Sequence, residues 1–478
     1  MRLLWQSYFY ALFYEYIAAL ERNYYLSIKR RNEDMFQNLI RSITDDTADN
    51  LMERMLKDTY SENLFVMVTA AQKLKLRSII EASLRGETGK VLARSYGSPN
   101  VQSPWEKVFL NPVQLFKLPT ESTKDISMNI VIGKNAKKPL NLATPIMITG
   151  MSYGASLHLN AKIALAKGAA AVGTATNTGE SSVSDEEREA AHYLIGQYNR
   201  YNILRDHEDL SKLDAIEIQF GQGAWGGAIE KTISSDQIGD HLRETWKLGK
   251  DQDAFRTARF PNENSESDII NIINELKGEY DIPVGVKIAA THYIEKELDV
   301  ILKTNADFIA IDGAEGGTAG SPPTLQDDLG LPTIYAISRA AKYLQEKGAS
   351  SKYDLIAAGG LKTPGDFLKA LALGAKAVYI GSIALVAMLG AQSTKATPAE
   401  PTPQLVLYDG KLQDDFDIDE GSRTLANFLN SCNEEMKLAL LAMGKRSIGE
   451  LSKEDLVATE KDLSECLNVG YAGCPGNK

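Results

Sequence analysis

Cysteine and histidine are scarce in this chain of 478 residues, with three of the first and five of the second. Cys432, Cys466 and Cys474 are too few for a disulfide framework, so a reducing, cytoplasmic setting is expected. None of them has C-x-x-C spacing, and so few histidines leave a zinc site little material; no metal site is expected. Basic excess is also missing. Lys and Arg total 52 against 63 Asp and Glu, a net charge of −11, which repels polyphosphate and argues against nucleic-acid binding. No Ser/His or Cys/His pair stands out as a nucleophile system. One apolar stretch invites a membrane reading, Leu3 to Leu20, but Gln6, Ser7 and Glu15 interrupt it and no small-residue cleavage site follows. It is a poor transmembrane span and a poor signal peptide. The expectation is a helix packed on the body or on a second subunit, which would make a homo-oligomer. The alternative is peripheral membrane contact through residues 1–20, since Lys29, Arg30 and Arg31 follow the aromatic residues.

What is present changes texture along the chain. Residues 1–95 read as a helical segment, with apolar residues at helical spacing through Leu51, Met55 and Leu56. Residues 96–142 are a loop-rich lead-in, four of whose residues are proline in the run SYGSPNVQSPWEKVFLNPVQLFKLP. From 143 to 395, short β-branched runs alternate with amphipathic stretches, the pattern of parallel βαβ units. Eight strands are predicted: Pro145–Thr149, Ala171–Ala175, His192–Gly196, Ala215–Phe220, Pro283–Ile288, Asp307–Asp312, Asp354–Ala358 and Ala377–Gly381. Eight such units are what a (β/α)8 TIM-type barrel requires, in an α/β chain with an N-terminal helical segment. The third is the weakest, because AHYLIGQYN could continue a helix, and an open doubly wound sheet is the other arrangement. Residues 396–478 read as a Pro-rich connector and a C-terminal helical extension.

The sharpest chemical signal is a pair of turns after the last two strands, at Gly359-Gly360 and Gly381-Ser382. Glycine lets backbone approach a phosphate, and a following helix N-terminus supplies N–H donors. In β/α barrels a phosphate site commonly lies after strands seven and eight. A third cluster, Gly316, Gly317 and Thr318, follows Asp312 and belongs to the same rim. Lys287 sits inside the apolar fifth strand, where its charge is costly unless an anion or polar ligand meets it. A phosphorylated cofactor, FMN, satisfies both demands, because reduced flavin gathers negative charge that a fixed cation balances. Met151, Ser152, Asn177, Thr178, Gln197, Gln219 and Gln222 stand at the ends of the first four strands and suit the edges of an aromatic ring. Glu180 stands with them.

These pieces resemble the FMN-binding synthase domain of glutamate synthases and their stand-alone relatives. The matching runs are VIGKNAKKPLNLATPIMITGMSYGAS, TNTGE, IEIQFGQGA, VGVKI, DGAEGGTAGSP and AGGLKTPGDFLKALALGAKAV. The resemblance implies an FMN barrel passing electrons to an imine formed from a 2-oxo acid and ammonia, or oxidising an amino acid in reverse. Lys287, Gln222 and Glu180 are the expected catalytic residues. Two departures stand out. Where the family usually continues GQGA with lysine and proline, which help hold 2-oxoglutarate, this chain has Trp225 and Gly226. The cysteines that hold an iron–sulfur cluster in some members, soon after the last strand, have no counterpart, so such a cluster is not expected. The chain does not begin with cysteine, so no glutaminase is expected, and no complete dinucleotide-binding unit is apparent. A separate electron-donor protein or reductase is implied. A non-redox FMN isomerase and a membrane-surface scaffold with a retained flavin fold are the other readings.

Overall fold

The computed structural model describes residues 46–476, apart from 60, 61, 64 and 226–228. The chain divides into two units, residues 1–90 and 91–478. In the first, helices Phe65–Leu74 and Leu76–Thr88 are described, the second closed by Gly89 in the left-handed region. The aromatic stretch 1–20 lies outside the described residues. Among those described, no helix is long and apolar enough to cross a membrane.

The second unit is built on eight parallel strands: β1 (Ile146–Ile148), β2 (Ala175–Asn177), β3 (Tyr193–Tyr198), β4 (Ala215–Gln219), β5 (Val284–Ala289), β6 (Phe308–Asp312), β7 (Asp354–Ala358) and β8 (Ala377–Ile380). Each lies beside its neighbours in sequence, and β8 pairs with β1 (Val378 opposite Ile146), so the sheet curls round to its own beginning. No ladder joins β1 to β2; there the Thr174 hydroxyl donates to the Ile146 carbonyl at 2.7 Å and bridges the seam. This is the barrel the eight apolar runs predict. Its strands are buried along nearly their whole length, as parallel strands covered on both faces must be.

The second strand begins four residues later than the run Ala171–Ala175 suggests. Its alanines belong instead to the helix that follows β1, α1 (Leu159–Ala171). Alanine is the best helix former, and the helix stops only where Gly173 turns with φ +67°. The third run does form a strand, Tyr193–Tyr198.

Further helices cover the barrel: α2 (Asp185–Ala190), α3 (His207–Ser211), α4 (Glu266–Glu279), α5 (Ile294–Ile301), α6 (Thr333–Glu346), α7 (Pro364–Ala372) and α8 (Ser382–Leu389). Between β4 and α4 the chain inserts an antiparallel pair, Lys231–Ile233 with Ala254–Arg256. At the N-terminal end of the barrel, Ile130–Ile132 and Leu140–Leu142 form a hairpin whose Gly133 N–H donates to Asp354 at 2.8 Å. The Pro-rich connector returns to the opposite end, where His158 is hydrogen-bonded to the Leu405 carbonyl at 2.7 Å. The long α9 (Ile418–Ala442) then buries Leu425, Leu429 and Met436, and Leu425 meets Gly168 of α1.

Candidate functional site

The C-terminal ends of the strands surround a cavity of about 470 Å³. Its floor is polar because inward positions of the top layer carry hydrogen-bonding side chains instead of the usual branched aliphatics. Lys287, on β5 and 2% exposed, donates to Thr149 Oγ1 at 3.2 Å and lies 3.3 Å from Asp312. Burial alone would pull its ammonium down, but the charges of Asp312, Glu217 and Glu180 outweigh it and hold Lys287 above the ordinary lysine value. Beside it, the Glu217 carboxylate accepts from Gln197 at 2.7 Å and Asn177 at 3.1 Å. Burial, then the charge of Glu217, pushes the Tyr379 phenol well up, so it stays a neutral hydroxyl in the floor.

One wall is made by glycine-rich turns. Gly359 and Gly360 have φ of +107° and +69°, and a Cβ on Gly360 would lie 2.5 Å from that of Glu315. Glu315 is itself pinned by the Thr333 N–H and hydroxyl at 2.9 and 2.7 Å, which sets the Gly-rich loop against β7. The two helix starts beyond these turns differ. α7 is closed by a capping box between Thr363 and Asp366, whereas α8 begins at Ser382 with no side-chain cap. Its first-turn N–H groups are thus the donors left to meet an anion. The lead-in covers this wall: the Tyr96 N–H donates to the Thr318 carbonyl, and Arg94 bridges to Asp327 at 2.6 Å.

The opposite wall is cationic and aromatic. Arg256, 2% exposed, is bonded through Nη1 to Glu180 and through Nε to the Ile229 carbonyl at 3.1 Å. Its guanidinium carbon lies 3.7 Å from the centroid of the Trp225 ring, and the indole N–H donates to Thr318 Oγ1 at 3.1 Å. Lys231, opposite Arg256 in the inserted pair, also reaches the cavity.

Of the residues the sequence singles out, Met151, Ser152, Glu180, Gln197, Gln222, Lys287, Gly316, Gly317, Thr318, Gly359, Gly360, Gly381 and Ser382 line this cavity. Asn177, Thr178 and Gln219 are fully buried and do not line it. Asn177 supports Glu217 and accepts from the Gly179 N–H at 2.9 Å, and the Thr178 hydroxyl accepts from the Gln197 N–H at 3.1 Å. Gln219 contacts Gln222 at 3.4 Å. Arg256, Tyr379, Thr149 and the lead-in residues 95–103 belong to the site and were not anticipated. Among the described residues, no group of three or more His, Cys, Asp or Glu could hold a metal.

Residues 100–446 match the model of the conserved region in glutamate synthase. The chain is 32% identical over 422 residues to the glutamate synthase large subunit-like protein of Rhizobium meliloti, a match covering 83% of this chain and 93% of that protein. It is 34% identical over 335 residues to the archaeal-type glutamate synthase [NADPH] of Thermotoga neapolitana, covering 69% of this chain and 65% of that one. It is likewise 34% identical over 341 residues to the archaeal glutamate synthase [NADPH] of Methanocaldococcus jannaschii, covering 70% and 66%.

Proposed function

The chain belongs to the glutamate synthase family, and from that premise we propose that it is an FMN-dependent oxidoreductase. It reductively aminates a 2-oxo acid, or oxidises the corresponding amino acid in reverse. The observation that carries this reading is Lys287, a buried cation in the floor of a cavity whose far wall ends at the uncapped start of α8. The residues present fit the cofactor. The first N–H groups of α8 and the Ser382 hydroxyl, beside backbone that Gly359 and Gly360 leave uncovered, would hold its phosphate. Bound there, FMN supplies a two-electron redox centre.

The protein groups do the rest. Lys287 keeps a positive charge where negative charge accumulates on reduction, and Asp312 and Thr149 fix its position. Arg256 takes the substrate carboxylate through the nitrogen that Glu180 leaves unused. Gln197 and Gln222 would offer amides to polar edges, and Glu180 positions Arg256 and lines the same cavity with its carboxylate. Condensation of the 2-oxo acid with ammonia releases water and gives an imine; two electrons and protons convert it to the amino acid. Reducing equivalents come from a separate electron-donor protein, and NADPH, which appears in the names of the archaeal-type relatives, is the first source to try.

The test is anaerobic. Protein loaded with FMN is photoreduced and mixed with a panel of 2-oxo acids, each with and without ammonium, while the flavin spectrum is followed. Reoxidation that needs both components supports the reading. Failure to take up FMN, or no reoxidation by any acid with ammonium, ends it.

A further inference from the structure

Glu217, on β4, is fully buried and does not line the cavity, yet one hydrogen bond joins it to Gln197, which does. Its Oε1 accepts from Gln197 Nε2 at 2.7 Å and from Asn177 Nδ2 at 3.1 Å. Its Oε2 has no hydrogen-bond partner among the described residues. Burying a carboxylate is costly, and two neutral amides on one oxygen offset only part of that cost. The rest of the compensation is electrostatic. The charge of Glu217 acts on Lys287, whose ammonium Asp312 and Thr149 hold in the floor.

An ionised carboxylate can only accept, so Glu217 fixes which way both amides face. Asn177 turns its NH2 group to Glu217 and its carbonyl to the Gly179 N–H at 2.9 Å. Gln197 likewise gives its NH2 group to Glu217, so its carbonyl is the part left for the cavity that it lines. Both amides pack directly under the rim. A Cβ on Gly150, which also lines the cavity, would lie 2.6 Å from Gln197 Nε2 and 3.0 Å from Asn177 Oδ1.

We propose that Glu217 is a positioning residue for the flavin site: it turns the Gln197 carbonyl to the cavity, and its negative charge holds down the flavin potential that Lys287 raises. The inference rests on the reading of the site as one for FMN.

Two variants separate charge from reach. Glu217→Gln keeps the length and an acceptor but removes the charge; Glu217→Asp keeps the charge but draws the carboxylate back from the amides. Each apoprotein is titrated with FMN, and the midpoint potential of the loaded protein is measured against reference dyes, so turnover is not needed. Glu217→Gln should raise the potential by about 30 mV or more, a tenfold change in the ratio of reduced to oxidised flavin. That shift is opposite in sign to the one expected of Lys287→Met, which a common loss of packing would not produce. Glu217→Asp should keep the wild-type potential and bind FMN about 10-fold more weakly. In a Gln197→Met background, Glu217→Asp should cost little further affinity, because the amide it orients is gone. An unchanged or lower potential in Glu217→Gln overturns the proposal, as does wild-type FMN affinity in Glu217→Asp. If Glu217→Gln takes up no FMN, the Gln197→Met background decides, and additive losses there overturn the proposal. The expected pattern with no ammonium-dependent reoxidation would count against the proposed reaction and leave the role of Glu217 standing.

Discussion

Glu180 and Arg256 form a buried ion pair across two separate segments, the loop after β2 and the pair of strands inserted after β4; their side chains are 4% and 2% exposed. Neither charge has solvent to fall back on. The pair therefore ties the inserted segment to the barrel rim while presenting Arg256 Nη2 to the cavity.

Arg256→Ala is expected to leave buried Glu180 with only Arg200, whose Nη2 lies 3.9 Å from it, and to cost up to about 3–5 kcal/mol of stability, the range for breaking a buried pair from one side. Urea unfolding of the apoprotein measures it. Arg256→Lys should fold better yet still lose substrate affinity, because an ammonium cannot reproduce the bonds to Glu180, Ile229 and a ligand from one planar fork. A Lys variant with wild-type affinity for 2-oxo acids would refute the assigned role.

Gly360 has φ +69° and no room for a Cβ beside Glu315. Gly360→Ala should therefore strain the turn by about 1–2 kcal/mol and push it off the phosphate wall. The expected result is weaker binding of FMN with little change for riboflavin, which has no phosphate to place. Equilibrium dialysis with the two flavins separates these effects; equal weakening for both would move the phosphate away from α8.

How much of this was readable beforehand depends on how local the cause is. Lys287 was legible because one charged residue in a run of apolar β-formers contradicts its surroundings. The turn at Gly359-Gly360 was legible because a strand, two glycines and a proline-led helix follow one another directly. Arg256 was not, although it alternates with buried Ala254 in the run DAFRT, because its partner Glu180 is distant in sequence. The lead-in over the Gly-rich loop was hidden for a similar reason. Its bonds are backbone to backbone, Tyr96 to Thr318 and Arg94 to Ser321, and backbone pairing leaves no signature in side-chain type. The alanine run before β2 misled because alanine favours the helix it actually extends.

The β1–β2 seam depends on a side chain where other strand pairs have ladders. Thr174→Val keeps the shape but removes the donor to the Ile146 carbonyl, leaving a buried acceptor unmet. A loss of about 1–3 kcal/mol is expected, measured by thermal or urea unfolding. A neutral substitution would mean that the barrel closes without this bond.

Lys287 links stability to pH, and the sign follows from its surroundings. Asp312, Glu217 and Glu180 raise its folded value above that of an unfolded lysine, despite the burial that opposes them. The folded state therefore holds this proton more tightly than the unfolded state. Its contribution to stability is complete below the ordinary lysine range, near pH 10.4, and is lost as pH rises through the higher folded value. Unfolding free energy measured from neutral to strongly alkaline pH should fall more steeply at the alkaline end for the wild-type protein than for Lys287→Met. At neutral pH the Met variant should be the less stable, since Asp312 and Glu217 are then buried without their cation. It should also show a lower flavin reduction potential, because the charge that favours the reduced ring is gone. Parallel pH profiles for the two proteins, or an unchanged potential, would show that Lys287 does not carry the charge of this site.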